Sequence, residues 1–163
     1  MQKVKPITKE GIQRALEKVE RYRLLNEPAE AESICRDILA VDPDHQKALC
    51  MFVLSLSDQF TTGMAPKEAR EAIAKITDDY RREYYNGILR ERLAKAALIR
   101  GGYGSNFDAY EWLMEAIEAF ERAAAIRPAG NDDAILRYNA CVRTIQRHHL
   151  TPRVKENREP LLE

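Results

Sequence analysis

EAIEAFERAAAIRP, residues 115–128, is the stretch whose reading decides the fold. Ala116, Phe120, Ala123 and Ala124 follow one another at spacings of four, three and one, which gathers them on one face of a helix, and Pro128 ends that helix. The same skeleton stands earlier in AEAESICRDILAVDP, residues 29–43, as Ala31, Cys35, Ile38, Leu39 and Pro43. In both copies the alanine precedes the proline by twelve residues. Recurrence of one helix pattern predicts a solenoid of helix pairs. A single pair cannot bury both of its faces, so each must lie against the next. A solenoid is a binding scaffold, and no catalytic constellation accompanies this one.

Outward from these two copies the chain reads as helix throughout. Ile12, Leu16, Val19 and Tyr22 carry a first helix over 8–25. Asn26 is placed to cap a second, with Pro28 in its first turn and Ala31, Ile34, Cys35, Ile38 and Leu39 as its buried stripe. A third starts near Asp44 and runs to about Gln59 on Leu49, Phe52, Val53 and Leu56. FTTGMA, 60–65, is a loop, and Pro66 opens a short fourth helix through Ala69, Ile73 and Ile76. The fifth, over 79–100, is long; Gly87 and Ala94 share a face of it and admit close approach of a neighbour. Gly101-Gly102-Tyr103-Gly104 breaks it. Ser105 with Asp108 has the form of a capping box opening a sixth helix. Asn131 caps a seventh, whose apolar face is Ile135, Tyr138, Val142 and Ile145 and which Thr151-Pro152 ends. No strand pattern survives.

The resulting expectation is one all-α domain over 1–150: antiparallel helix hairpins at about 8–43, 44–78 and 79–128, a capping helix over 131–149, and a tail over 151–163. The seventh helix has no successor, so its outer face should be polar, with Arg137, Arg143, Gln146 and Arg147 available for it.

Composition narrows the class. Hydrophobic residues are 45% and charged residues 32%, enough for a core under a solvated helical surface. Basic and acidic residues balance at 26 each, which argues against a nucleic-acid or membrane-surface binder resting on excess positive charge. The three cysteines, Cys35, Cys50 and Cys141, are too few and too scattered for a disulfide framework, so a reducing, cytoplasmic setting is expected. The first residues, MQKVKPITKEG, lack the apolar run of a secretory signal, and no stretch is apolar for long enough to span a membrane.

The repeated pattern resembles the tetratricopeptide repeat family over roughly residues 12–148. Ala116, Phe120, Ala123 and Pro128 match its second-helix signature; Ala31 and Pro43 match it, with Cys35 and Ile38 looser fits. Ala69, Ile73 and Ile76 keep the spacing, while Asp78-Asp79 replaces the terminal proline. In the first helices Ala15, Lys18 and Val19 stand where the family has large, large and small residues. From Ala31 to Ala69 is 38 residues and from Ala69 to Ala116 is 47. Against a unit of about 34 residues the excess is roughly four and thirteen. The first excess falls in the 60–65 loop. The second elongates both helices of the third hairpin by about two turns each, with Gly101–Gly104 at its tip. The resemblance implies a right-handed superhelix whose concave groove is lined by first helices. Carried onto this chain, the lining is Glu20 and Arg23, then Leu54, Ser57 and Asp58, then Glu91 and Arg92, then Arg143. Such a mixed-charge groove suits an extended peptide or a partner helix. The lysines and asparagines with which some members clamp a C-terminal carboxylate are not present as a set; Asn86 and Asn139 stand isolated.

Other candidates are weaker. Tyr103, Phe107, Tyr110 and Trp112 gather around the glycine turn and mark it as a contact surface, for a partner or for a second copy of the chain. The turn itself lacks the lysine of a phosphate-binding loop, and no strand leads into it. His148, His149 and Cys141 do not offer the geometry of a metal site, and no cofactor is expected. No histidine stands near Cys35, and no carboxylate pair must be buried, so neither nucleophilic nor acid–base catalysis has support. Arg137, Arg143, Arg147, Arg153, Lys155 and Arg158 make the C-terminal part locally basic. The function expected is a non-catalytic protein-interaction scaffold. The alternative is a nucleic-acid-binding helical repeat using Arg143, Arg147 and Arg153.

Overall fold

The computed structural model describes residues 1–154. Lys155 and Arg158 of the basic C-terminal part, and residues 155–163 of the expected tail, lie outside the described residues. Among those described there are seven α-helices, two short 3-10 turns and no strand.

The first hairpin pairs α1, Ile12–Leu24, with α2, Pro28–Val41. Helix α1 buries Ile12, Leu16 and Val19, one residue per turn on a single stripe. Asn26 does not cap α2. It adopts the left-handed conformation at φ 58° and closes α1, the Glu27 N–H donating to the Tyr22 carbonyl at 2.9 Å and the Asn26 N–H to the Arg23 carbonyl at 3.0 Å. Asparagine tolerates that conformation better than other side chains, and here the helix end claims it before the next helix start can. Pro28 then occupies the first turn of α2, as its missing N–H allows.

The second hairpin is α3, Gln46–Ser57, and the eight-residue α4, Lys67–Ala74. His45 caps α3, its Nδ1 accepting from the Ala48 N–H at 3.1 Å. The expected loop between them contains a 3-10 turn, Phe60–Thr62, whose Phe60 ring is buried. Pro66 precedes α4 as its cap residue. No proline ends α4. The Gln46 amide does that work, donating to the Lys75 carbonyl at 3.2 Å and accepting from the Thr77 N–H at 2.9 Å. On the outer side Arg36 of α2 lies 5.1 Å over the Phe52 ring and hydrogen-bonds both Glu32 and Glu68, tying α2 to α4.

The third hairpin is longer, as expected: α5, Asp79–Arg100, has 22 residues and α6, Ser105–Ala125, has 21. Asp78 caps α5 through the Arg81 N–H at 2.8 Å. The capping box at Ser105 does not form. Gly104 is the cap residue, Ser105 is buried in the first turn, and the Asp108 carboxylate accepts from Arg100 and Arg153 instead. The long helices meet closely because Gly87 has no side chain; a Cβ there would stand 2.5 Å from the Phe120 ring.

Helix α7, Asp133–Arg147, packs on α6. Asn131 accepts from the Asp133 N–H at 3.0 Å and from the Tyr80 hydroxyl at 3.3 Å. The helix ends before Thr151-Pro152: His149 turns left-handed at φ 51°, the Leu150 N–H donates to the Ile145 carbonyl at 3.0 Å, and Leu150 is buried.

Each helix packs on its chain neighbours, and beyond these α1 touches α3, α3 touches α5, and α5 touches α7. That order is a stack of hairpins in which the first helices share one flank. The core is not a single centre. One cluster joins α1 to α4 with Phe60 and Leu89, and a second joins α5, α6, α7 and Leu150.

Candidate interaction surface

Because α1, α3, α5 and α7 touch one after another in space, side chains on their common flank can reach from one hairpin to the next. They do so as ion pairs. Glu20 of α1 meets Lys47 of α3 at 3.3 Å. Asp58, just past α3, takes the Arg23 Nε from α1 at 2.8 Å on one carboxylate oxygen and an Arg92 N–H from α5 on the other. Glu91 of α5 accepts from Arg137 of α7, from its Nε at 3.0 Å and from a terminal nitrogen. The pairs cross every junction in the stack. The side chains of Arg23, Asp58 and Arg92 are 22, 20 and 24% exposed, so the junctions are partly desolvated yet open to solvent. Burial works against the charge on Arg137, and its bonds to Glu91 outweigh that, so its pKa is raised overall.

Six of the eight groove residues expected from the sequence take part in this flank or border it, and two do not. Glu20, Arg23, Asp58, Glu91 and Arg92 belong to the pairs. Leu54 is partly buried and packs toward the second core cluster. Ser57 is 2% exposed and its hydroxyl donates back to the Leu54 carbonyl at 3.1 Å, so it lines nothing. Arg137 rather than Arg143 is the α7 residue that crosses to α5. The two stand six residues apart, which turns them about 120° from one another around the helix. Arg143 is exposed and forms no ion pair among the described residues. Lys47 was not among the expected residues, although it stands seven residues before Leu54 and eleven before Asp58, spacings that return to one helical face.

The aromatic tip divides. Tyr103 is fully exposed. Phe107 is half-buried under the Arg153 guanidinium, 5.6 Å from its ring centre. Trp112 is half-buried and lines a cleft with Phe60, Met64 and Leu93. Phe107 and Trp112 are five residues apart on one helix and face different ways, so the three do not form one patch.

The basic C-terminal face is depleted in the same manner. Arg137 is committed to Glu91, and Arg153 to Asp108 at 2.8 Å and Glu111 at 3.6 Å. Arg153 is exposed but paired, and Arg143 and Arg147 are the exposed members that form no ion pair among the described residues. The thiols of Cys35 and Cys141 are pushed up to about 12 by burial, which keeps them protonated. No group of three metal-ligating side chains occurs among the described residues, and none of their helices is long and apolar enough to cross a membrane. Comparison with family models, curated proteins and solved structures finds no match to this chain.

Proposed function

We propose that this chain is a non-catalytic, cytoplasmic interaction scaffold of tetratricopeptide-repeat type, and that the flank formed by α1, α3, α5 and α7 receives a peptide or a helix of a partner protein. The observation that carries this reading is the ladder of partly exposed ion pairs along that flank. The Glu20–Lys47 pair, 49 and 50% exposed, is of the kind worth only about 0–1 kcal/mol to stability, so its charges can be exchanged onto a partner at little cost to the fold. The less exposed Asp58 and Glu91 junctions hold the hairpins in place, and their fixed spacing sets the register of what binds. Arg23 and Arg92 share one carboxylate, which leaves guanidinium N–H groups for further acceptors.

The test is site-specific photo-crosslinking in cells. A crosslinker at Leu54 or Arg23 is expected to trap discrete protein species, and Lys47→Glu in the same background to reduce their yield about tenfold or more, with helicity unchanged, since Lys47 is exposed. A crosslinker at exposed Ala40, on the α2 side, is the control. Equal trapping at Ala40, or yields that ignore Lys47→Glu, would remove the flank as the binding surface.

A further inference from the structure

The edge of the stack that carries the α5–α6 turn holds both a knob and a hole. The knob is Tyr103, lifted clear of both helices by Gly101, Gly102 and Gly104 at φ 63°, 86° and 81°. Those left-handed angles hold the turn open in a shape that only glycine adopts freely. The hole is a cleft of about 300 Å³ between the 3-10 turn and the long hairpin, its apolar wall made by Phe60, Met64, Leu93, Ala96 and Trp112. Arg100 and Asp108 also line it. They stand on either side of the Tyr103 turn in sequence, 63 and 37% exposed, and pair with each other at 3.1 Å, Arg153 sharing the Asp108 carboxylate at 2.8 Å. Ile99, beside Arg100, is exposed too.

We propose that this edge is a self-association surface, the Tyr103 of each copy seated in the Phe60–Met64–Trp112 cleft of the other. A surface that bears a knob, a matching hole and both signs of charge is self-complementary, which is what a two-fold contact between identical chains needs. The copies bring no long-range repulsion, since the chain has 26 basic and 26 acidic residues. In the paired arrangement the exposed Arg100–Asp108 ion pairs of the two copies lie beside the contact and exchange partners across it, and the apolar ring leaves water on both sides at once. The contact uses other residues than the ion-pair flank and stands whether or not that flank binds a peptide.

Trp112 is the only tryptophan of the chain and lines the cleft, so it reports occupancy directly. Sedimentation and acrylamide quenching are followed together from low to high micromolar concentration. The mass is expected to climb from 18.7 kDa toward twice that value while Trp112 becomes shielded. Tyr103→Ser and, separately, Met64→Arg should each weaken association tenfold or more with unchanged helicity. Mixed one to one, the two variants should regain association, because the pair keeps one intact tyrosine and one intact cleft. Three results overturn the proposal: a monomer mass at every concentration, a Trp112 already shielded in the monomer, and a mixture that associates no better than either variant alone.

Discussion

The two core clusters are built from the same kind of unit by different means. In the first, short helices from α1 to α4 are spaced by branched and aromatic side chains: Leu16, Val19, Ile38, Leu49, Phe52, Leu56 and Ile73. In the second, two long helices are drawn together by small residues, Ala94, Ala97, Ala109, Ala116 and Ala123, around the single buried ring of Phe120. Gly87 gives that ring its place. The first core spreads its burial over many contacts of medium size. The second concentrates it where two backbones approach. A hairpin can thus gain its stability either by filling the space between helices or by removing it, and the second route leaves less room for error.

That contrast is open to measurement. The largest effect is expected at its centre: Phe120→Ala should cost about 3–5 kcal/mol in urea denaturation, since the rigid small-residue walls cannot collapse into the void. Next comes Gly87→Ala, which places a methyl against the ring face and should cost about 1–3 kcal/mol by overpacking. Adding Phe120→Leu should recover part of that loss. A neutral or stabilising Gly87→Ala would mean that the helices can part, and the comparison would fail at its sharpest point.

A buried thiol in each core allows a matched test. Cys35 and Cys141 are both held protonated, with pKa pushed up to about 12 by burial. A thiol in the unfolded chain ionises near its ordinary value of about 8.5. Between those two values the folded state binds the extra proton, so stability is full below the unfolded pKa and falls as pH rises toward the folded one. The slope is about 1.4 kcal/mol per pH unit for each thiol. Cys35→Ala and Cys141→Ala should each flatten the alkaline slope by a similar amount, read from urea midpoints at stepped pH. The smallest effect is expected in the first core, where Ile38→Val should cost only about 0.5–1.5 kcal/mol.

How much of this could be read from the sequence depended on whether one helix or two were needed. The buried faces needed one. Ala116, Phe120 and Ala123 declare themselves by spacing, and so do the elongation of the third hairpin, from the repeat count and the glycine turn, and the close approach at Gly87. Choices between two uses of one side chain were not legible. Asn26 suits a helix start and a helix end equally, and the local closure of α1 took it for the end. Asp108 had the spacing of a capping residue, but Arg100 and Arg153 reach it from elsewhere. On the candidate surface the members were mostly foreseeable, whereas their pairing was not. It requires the register between hairpins, which put Asp58 between Arg23 and Arg92 and turned Ser57 inward. The separation of Phe107 from Trp112 was legible from their five-residue spacing. The division of the core into two was not, because it depends on which helices meet.

The central claim is that these hairpins are stabilised by the neighbour in line rather than by one shared centre. Native-state hydrogen exchange of the wild type and of Gly87→Ala, resolved helix by helix, tests it most directly. The account predicts that the substitution lowers protection strongly in α5, α6 and α7, less in α3, and least in α1 and α2. An equal loss of protection across all seven helices would contradict it.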